Sequence, residues 1–426
     1  MKSPDEILVE SYAAQASSLR IAIVTETFPP EVNGVAMTLG RIVQGLLQRG
    51  HAVQVVRPRQ GKEVQASSAR EGLDEVLSKG IPLPAYGELR FGLPSKNRLT
   101  TLWAEKRPDI VHVVTEGPLG WSAVAAARKL QLPVTSSFHT NFQSYSQHYG
   151  IGLLKSPIES YLRKLHNRTL ATMVPTRALV QELQARGYNN VTLLSRGVAT
   201  EQFSPSHRSP ELRAQWGAAS EDPVILLVGR LAKEKNVGLV VSAYRAIRFQ
   251  IPGAKLVFVG DGPMRKALEE ACPEAHFAGV RKGAELAAYY SSADLFLFAS
   301  VTETFGNVVP EAMASGLAVV AHDCAAAKEL IVSGHNGLLV SAGDDVAFVN
   351  ACANLSTDPV QIERYRRQAV ESVAHRSWDS IHDCFVATLR NVLERHGHEF
   401  APTANQLLSS PPTQERLPQA HPSPLV

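Results

Sequence analysis

Several features that would settle the class of this protein at once are missing from its sequence. No stretch approaches the ~20 consecutive apolar residues of a membrane span, and the opening MKSPDEILVESYAAQASSLR has no apolar signal core. Contact with a membrane, if made, is therefore expected to be peripheral. The four cysteines, Cys272, Cys324, Cys352 and Cys384, form no C-x-x-C pair and have no histidine at zinc-ligand spacing. They read as buried thiols of a reducing, cytoplasmic compartment. There is no Asp-x-Asp triplet of the kind that clamps a divalent ion onto a diphosphate. The net charge is only +3, without the dense clusters that nucleic acid calls for.

What is present fits two folded domains. The chain has 426 residues, 44% of them hydrophobic and 19% charged, which is too long for one ordinary core and suits two of roughly 150–200 residues each. Its charge is uneven: residues 1–200 hold 23 Lys/Arg against 15 Asp/Glu, and the remainder 20 against 25. A basic first half can attract an anionic surface such as a lipid headgroup layer, although a plain solubility pattern accounts for it too.

Apolar runs and helical patterns alternate along the chain, which implies parallel sheets covered on both faces. Strands are expected over 20–26, 52–57, 109–114, 134–138, 172–174 and 191–194, with helices over 38–49 and 120–129 among them. The pattern restarts after a polar stretch, with strands over 224–228, 255–259, 295–298, 319–321 and 338–340. The expected organisation is a leader over 1–18, doubly wound α/β domains over 19–203 and 204–377, a last helix over 378–396, and a Pro-rich tail without fixed structure over 397–426. Ligands of open α/β sheets bind at the carboxyl ends of the strands, so the loops that follow strands carry the candidate chemistry.

The first is Thr25-Glu-Thr-Phe-Pro-Pro-Glu-Val-Asn-Gly-Val35, which is not a G-x-G-x-x-G turn. Gly34 would let a phosphate approach a helix N-terminus, though a simple turn glycine also fits. The second, Gly229-Arg-Leu-Ala-Lys-Glu-Lys-Asn236, offers Arg230 as a fork of donors and Lys235 as a point charge. Two such cations can neutralise a departing diphosphate without a metal; a solvated charged turn fits the same spacing. The third is Glu303-Thr-Phe-Gly-Asn-Val-Val-Pro-Glu311. Its carboxylates can accept hydrogen bonds from sugar hydroxyls, Phe305-Gly306 permits close backbone contact, and Glu311 equally complements a helix dipole. His139, in Ser137-Phe-His-Thr-Asn141, follows a strand toward the same side. His112 and Asp261 read as a packed residue and a cap.

In this order the loops resemble the retaining family 4 glycosyltransferases of GT-B fold, over nearly all of residues 19–395. Glu303 to Glu311 is similar to the family's E-x7-E signature and Gly229 to Asn236 to its G-R-L-x-x-E-K-N loop, with Ser315-Gly316-Leu317 and Asn33-Gly34-Val35 also matching. The resemblance implies two Rossmann-like domains facing across a cleft and a nucleotide-sugar donor, with no metal and no other cofactor. Arg230, Lys235 and Gly34 would hold the diphosphate, Glu311 the ribose, and Glu303, His139 and the Phe305-Gly306 backbone the hexose. Arg230, Lys235 and Glu303 would form the catalytic group, and the last helix would cross back onto the first domain.

Within the family, residues 25–35, Leu89-Arg-Phe-Gly-Leu-Pro94 and Tyr149-Gly-Ile-Gly152 resemble bacterial lipid-directed members, among them GDP-mannose-dependent α-mannosyltransferases and sulfoquinovosyl- or glucuronosyl-diacylglycerol synthases. A lipid or glycolipid acceptor at an anionic membrane is thus expected. Lys155-Ser-Pro-Ile-Glu-Ser-Tyr-Leu-Arg-Lys-Leu-His-Asn-Arg168 mixes apolar and basic residues as an interfacial helix does, or as an ordinary packed helix does. The donor stays open between GDP-mannose and a UDP-hexose, because no acid follows His276-Phe-Ala-Gly279 until Glu285 to read a guanine edge. A soluble or polysaccharide acceptor, a nucleotide-sugar epimerase or hydrolase, and a binding scaffold are the competing readings.

Overall fold

Strand β1 (Arg20–Val24) is buried at every position after its first. Runs apolar on both faces suit parallel strands covered by helices on both sides, and the chain folds that way in the computed structural model, which describes residues 18–31, 33–60, 71–83, 86–139 and 155–400. Residues 1–17 of the expected leader, the Tyr149 to Gly152 segment and the chain beyond 400 lie outside these residues. With β2 (Ala52–Pro58), β3 (Leu73–Ser78), β6 (Ile110–Val113), β7 (Val134–Ser137), β8 (Ala171–Val174) and β9 (Val191–Leu193), β1 forms a seven-stranded sheet in the order β3-β2-β1-β6-β7-β8-β9. A small antiparallel pair, β4 (Gly80–Leu83) and β5 (Tyr86–Gly92), stands beside it. A second parallel sheet of six strands runs β12-β11-β10-β13-β14-β15, built from β10 (Val224–Val228), β11 (Lys255–Val259), β12 (His276–Gly279), β13 (Leu295–Phe298), β14 (Ala318–His322) and β15 (Leu338–Val340).

Alternation along each strand divides the core into layers. Ile21 and Ile23 enter one cluster and Ala22 and Val24 another; Ile225 and Leu227 oppose Val224 and Leu226 in the same way. The strands absent from the sequence reading, β3, β4, β5 and β12, lack this apolar continuity. β3 is an edge strand, LDEVLS, whose Glu75 forms an ion pair with the buried Arg57 at 2.9 Å. Its exposed charge is Asp74, of the kind that blunts a sheet margin, and the two acids together erase the apolar signal.

The last helix, Trp378–Phe400, extends past the expected end at 396. It places Phe385, Val386, Leu389 and Val392 among Leu39, Ile42, Leu46 and Ile110 of the first domain. Its approach to the helix Gly34–Gln48 is so close that a Cβ on Gly45 would fall 2.2 Å from the His382 ring. Conversely Val198, Ala199 and Phe203, expected to close the first domain, pack in the core of the second. The outward and returning chains touch where Gly197 meets Trp378. Among the described residues no helix is long and apolar enough to cross a membrane.

Candidate functional site

Each sheet reverses its strand order once, between β1 and β6 in the first and between β10 and β13 in the second. Such switch points open a crevice at the carboxyl ends of the strands. The three loops singled out above leave β1, β10 and β13, so they line the two crevices.

After β10 the chain makes a single 3-10 turn, Lys233–Lys235, before the helix Val237–Gln250 begins. The turn is laced to the loop after β13: Ser300 Oγ and Thr302 Oγ1 donate to the Glu234 carbonyl at 3.1 and 3.2 Å. Lys235 Nζ and the Glu303 carboxylate form an ion pair, so the proposed diphosphate and hexose groups are already in contact. Arg230 lies 3.7 Å from the buried Glu234 carboxylate. The backbone fits this tightly because of Gly260, at φ +136°, where a Cβ would stand 1.9 Å from the Gly229 carbonyl oxygen. Gly260-Asp-Gly-Pro263 is therefore a packing turn, with Asp261 accepting from Gly262 N at 2.7 Å.

Glu311 sits in the first turn of the helix Val308–Ala314 and accepts from Tyr290 Oη at 2.9 Å. Burial raises its pKa to about 7 against the opposing Tyr290 hydrogen bond and the Arg41 charge. Gly306 adopts φ +86°. The Phe305 side chain is buried in the second core and its carbonyl accepts from Ala326 N at 2.7 Å.

Across the cleft, Asn33 caps the helix Gly34–Gln48 by accepting from Ala36 N at 2.9 Å, and Thr27, Glu31 and Gln60 brace that cap. A Cβ on Gly34 would meet nothing within 4 Å, so the helix N-terminus is open to an anion. Glu26, at the end of the same strand, instead accepts from Leu119 N at 3.3 Å at the start of the helix Pro118–Lys129. Burial first, then the neighbouring Glu116 charge, bring its carboxyl to about 7 against hydrogen bonds from Leu119 and Gly92.

The loop of the second domain reaches His139 directly: Thr304 Oγ1 donates to the His139 carbonyl at 2.8 Å, and Asn307 Nδ2 donates to Thr38 Oγ1 at 3.3 Å. The His139 ring takes a 2.6 Å hydrogen bond from Arg196 Nη2 at its Nδ1. Burial, with Arg196 second, keeps the ring's pKa well below the ordinary value. His112 is a packed residue, held between Thr135 Oγ1 at 2.9 Å and Ser137 Oγ at 3.0 Å. Arg41, Arg196, Tyr290 and Thr304 escaped the sequence reading. Arg196 alone left a signal there, as a cation in the short loop after a strand and directly before a glycine.

The helix Lys155–His166 turns one face inward. Leu162, Leu165 and His166 are buried, while Tyr161 stacks on Trp121 at 5.2 Å and donates to the Glu116 carbonyl at 2.7 Å. Its outer face carries Arg163 and Lys164 beside the exposed Tyr161, a basic and aromatic margin that fits a packed helix and an interfacial one alike.

Comparison with known proteins agrees with this architecture. Residues 32–202 match the family model "Glycosyltransferase Family 4" and residues 222–358 match "Glycosyl transferases group 1". A GDP-mannose-dependent alpha-mannosyltransferase of Mycobacterium tuberculosis is 34% identical over 86% of this chain and 94% of its own. The sulfoquinovosyl transferase SQD2 of Arabidopsis thaliana is 31% identical over 89% of this chain and 75% of its own. An alpha-monoglucosyldiacylglycerol synthase of Acholeplasma laidlawii is 27% identical over 77% and 86%. Among solved structures, sucrose-phosphate synthase from Thermosynechococcus elongatus superposes with a TM-score of 0.72 at 18% identity, covering 88% of this chain and all of that one; it establishes the GT-B fold. The chain is a glycosyltransferase and belongs to glycosyltransferase family 4.

Proposed function

We propose that the protein is a retaining α-glycosyltransferase that moves a hexose from a nucleotide-diphosphate donor onto a membrane lipid or glycolipid, without a metal ion. The observation that carries the reading is the Lys235–Glu303 ion pair at the switch point of the second sheet, with Arg230 and Glu311 in the same loops. A diphosphate entering this crevice would draw Lys235 and Arg230 to its oxygens and release Glu303 to the sugar hydroxyls. As the bond to the anomeric carbon lengthens, negative charge grows on the departing phosphate. Preorganised cations at that position lower the barrier, which is the work a divalent ion would otherwise do. Attack on the face the leaving group vacates, with the departing phosphate oxygen taking the acceptor's proton, would retain the α configuration.

For the donor, GDP-mannose is favoured by the relatives at 32–34% identity that bear that name. A UDP-hexose is the second reading, because Glu285, the first acid after β12, is held by Arg281 at 2.9 Å rather than offered to a guanine edge. The acceptor class is supported by relatives whose names specify a diacylglycerol or phosphatidylinositol product or substrate. The test is a transfer assay with GDP-mannose and UDP-hexoses on glycosylated diacylglycerol in vesicles, with EDTA present throughout. Transfer should persist in EDTA, and Lys235→Ala should lower kcat on the order of 100- to 1,000-fold. Strict dependence on added Mg2+ or Mn2+, or wild-type turnover by Lys235→Ala, would refute the cationic-loop mechanism.

A further inference from the structure

We infer that Arg196 is a positioning residue that fixes His139 as a neutral imidazole with its proton on Nε2, making it a hydrogen-bond donor to the bound sugar rather than a base. The inference deepens the proposed site and rests on His139 facing the donor hexose. Arg196 is 93% buried, at 7% exposure, and among the described residues no carboxylate pairs with it. Among the described residues its hydrogen bond is the 2.6 Å contact from Nη2 to His139 Nδ1. A guanidinium carries donors only, so Nδ1 must present its lone pair and the ring proton must reside on Nε2. The Thr304 hydroxyl pins the same residue's carbonyl at 2.8 Å from the opposite domain. Ring and backbone are both held, and Nε2 is left without a partner among the described residues.

The polarity is the reverse of the familiar Asp–His pairing. There a carboxylate takes the proton of Nδ1 and leaves Nε2 as a base; here a cation occupies that place. Among the described residues, the titratable and charged groups that face the ring are Arg196, His112 and His166. None is an acid, and burial together with the Arg196 charge opposes protonation of His139. A retaining transfer in which the leaving phosphate collects the acceptor's proton needs no protein base at this position, but it gains from a fixed donor on a sugar hydroxyl.

The tautomer can be read without any substrate, by two-bond 1H–15N correlation spectra of the full chain labelled at imidazole nitrogens, with His139 assigned by its loss in His139→Gln. His139 should show one neutral Nε2–H form from pH 6 to 8, and Arg196→Met should introduce the Nδ1–H form or a titration in that range. A wild-type ring protonated on Nδ1, or charged at pH 6, would overturn the inference whatever the substrate proves to be. In the transfer assay Arg196→Met should cost on the order of 10- to 100-fold in kcat, with part restored by Arg196→Lys. The same change in a His139→Ala background should cost little further. Full additivity of the two losses would show that Arg196 acts on its own, and would refute the positioning role. Should Arg196→Met fail to fold, the wild-type and Arg196→Lys spectra still decide the tautomer.

Discussion

Glu311 keeps a proton near neutral pH because its carboxylate is taken out of water and only partly repaid by Tyr290 and Arg41. Its folded-state pKa, about 7, lies above the unfolded value of 4.5. The stabilisation this carries is complete below pH 4.5 and is lost as pH rises through 7. By neutral pH the loss is roughly 3 kcal/mol. Two ribose hydroxyls would supply the missing hydrogen bonds and favour the anion, so nucleotide binding should expel this proton. Calorimetry of nucleoside-diphosphate binding at pH 6, in buffers of different ionisation enthalpy, should show greater proton release by wild type than by Glu311→Gln. The comparison is needed because phosphate groups also titrate in this range. Equal release by both proteins would remove Glu311 from the ribose site.

The residues proposed for this chemistry were visible in the sequence wherever one loop carried them. Arg230 with Lys235, and Glu303 with Glu311, each lie on one loop after a strand, and their spacing fitted a ligand site as well as it fitted a solvated turn or a helix-dipole carboxylate. Arg196 and His139 were not legible as a pair. They are 57 residues apart, and only the parallel order of β7, β8 and β9 brings the ends of those strands side by side. The same limit hid Tyr290 from Glu311.

At the scale of elements, the strands with continuous apolar runs were visible from their residues, while β3 and β12 were not. Both lie at sheet edges, where half the pairing is absent and polar residues are tolerated. The loops between strands are less forgiving than their composition suggests. Gly260 combines φ +136° with a Cβ position 1.9 Å from the Gly229 carbonyl oxygen. Gly260→Ala must displace the backbone that carries Arg230, and a loss of about 2–4 kcal/mol is expected from strain and overlap together. Chemical denaturation should record that loss alongside a raised donor KM. An unchanged midpoint would mean that the two loops do not need their close approach.

For the whole molecule, the exchange of segments between domains governs stability. Phe385 is 1% exposed and Leu389 fully buried, both within the core of the first domain. Phe385→Ala should cost about 3–5 kcal/mol, and the transition it lowers should be that of the first domain, although the residue lies near the end of the chain. Limited proteolysis of the variant should then cut first within residues 18–139. Cleavage confined to the second domain would show that the returning helix contributes little to the core it enters.

That returning helix also sets an order of events during synthesis. The core of the first domain is complete only when residues 378–400 have left the ribosome. Until then Leu39, Ile42, Leu46 and Ile110 lack the side chains that cover them. Domains commonly finish in the order of their translation; here the part made first is finished last. The nascent chain carries an open apolar face until residues 378–400 have been made, an interval in which chaperone capture is the expected consequence of exposed apolar surface.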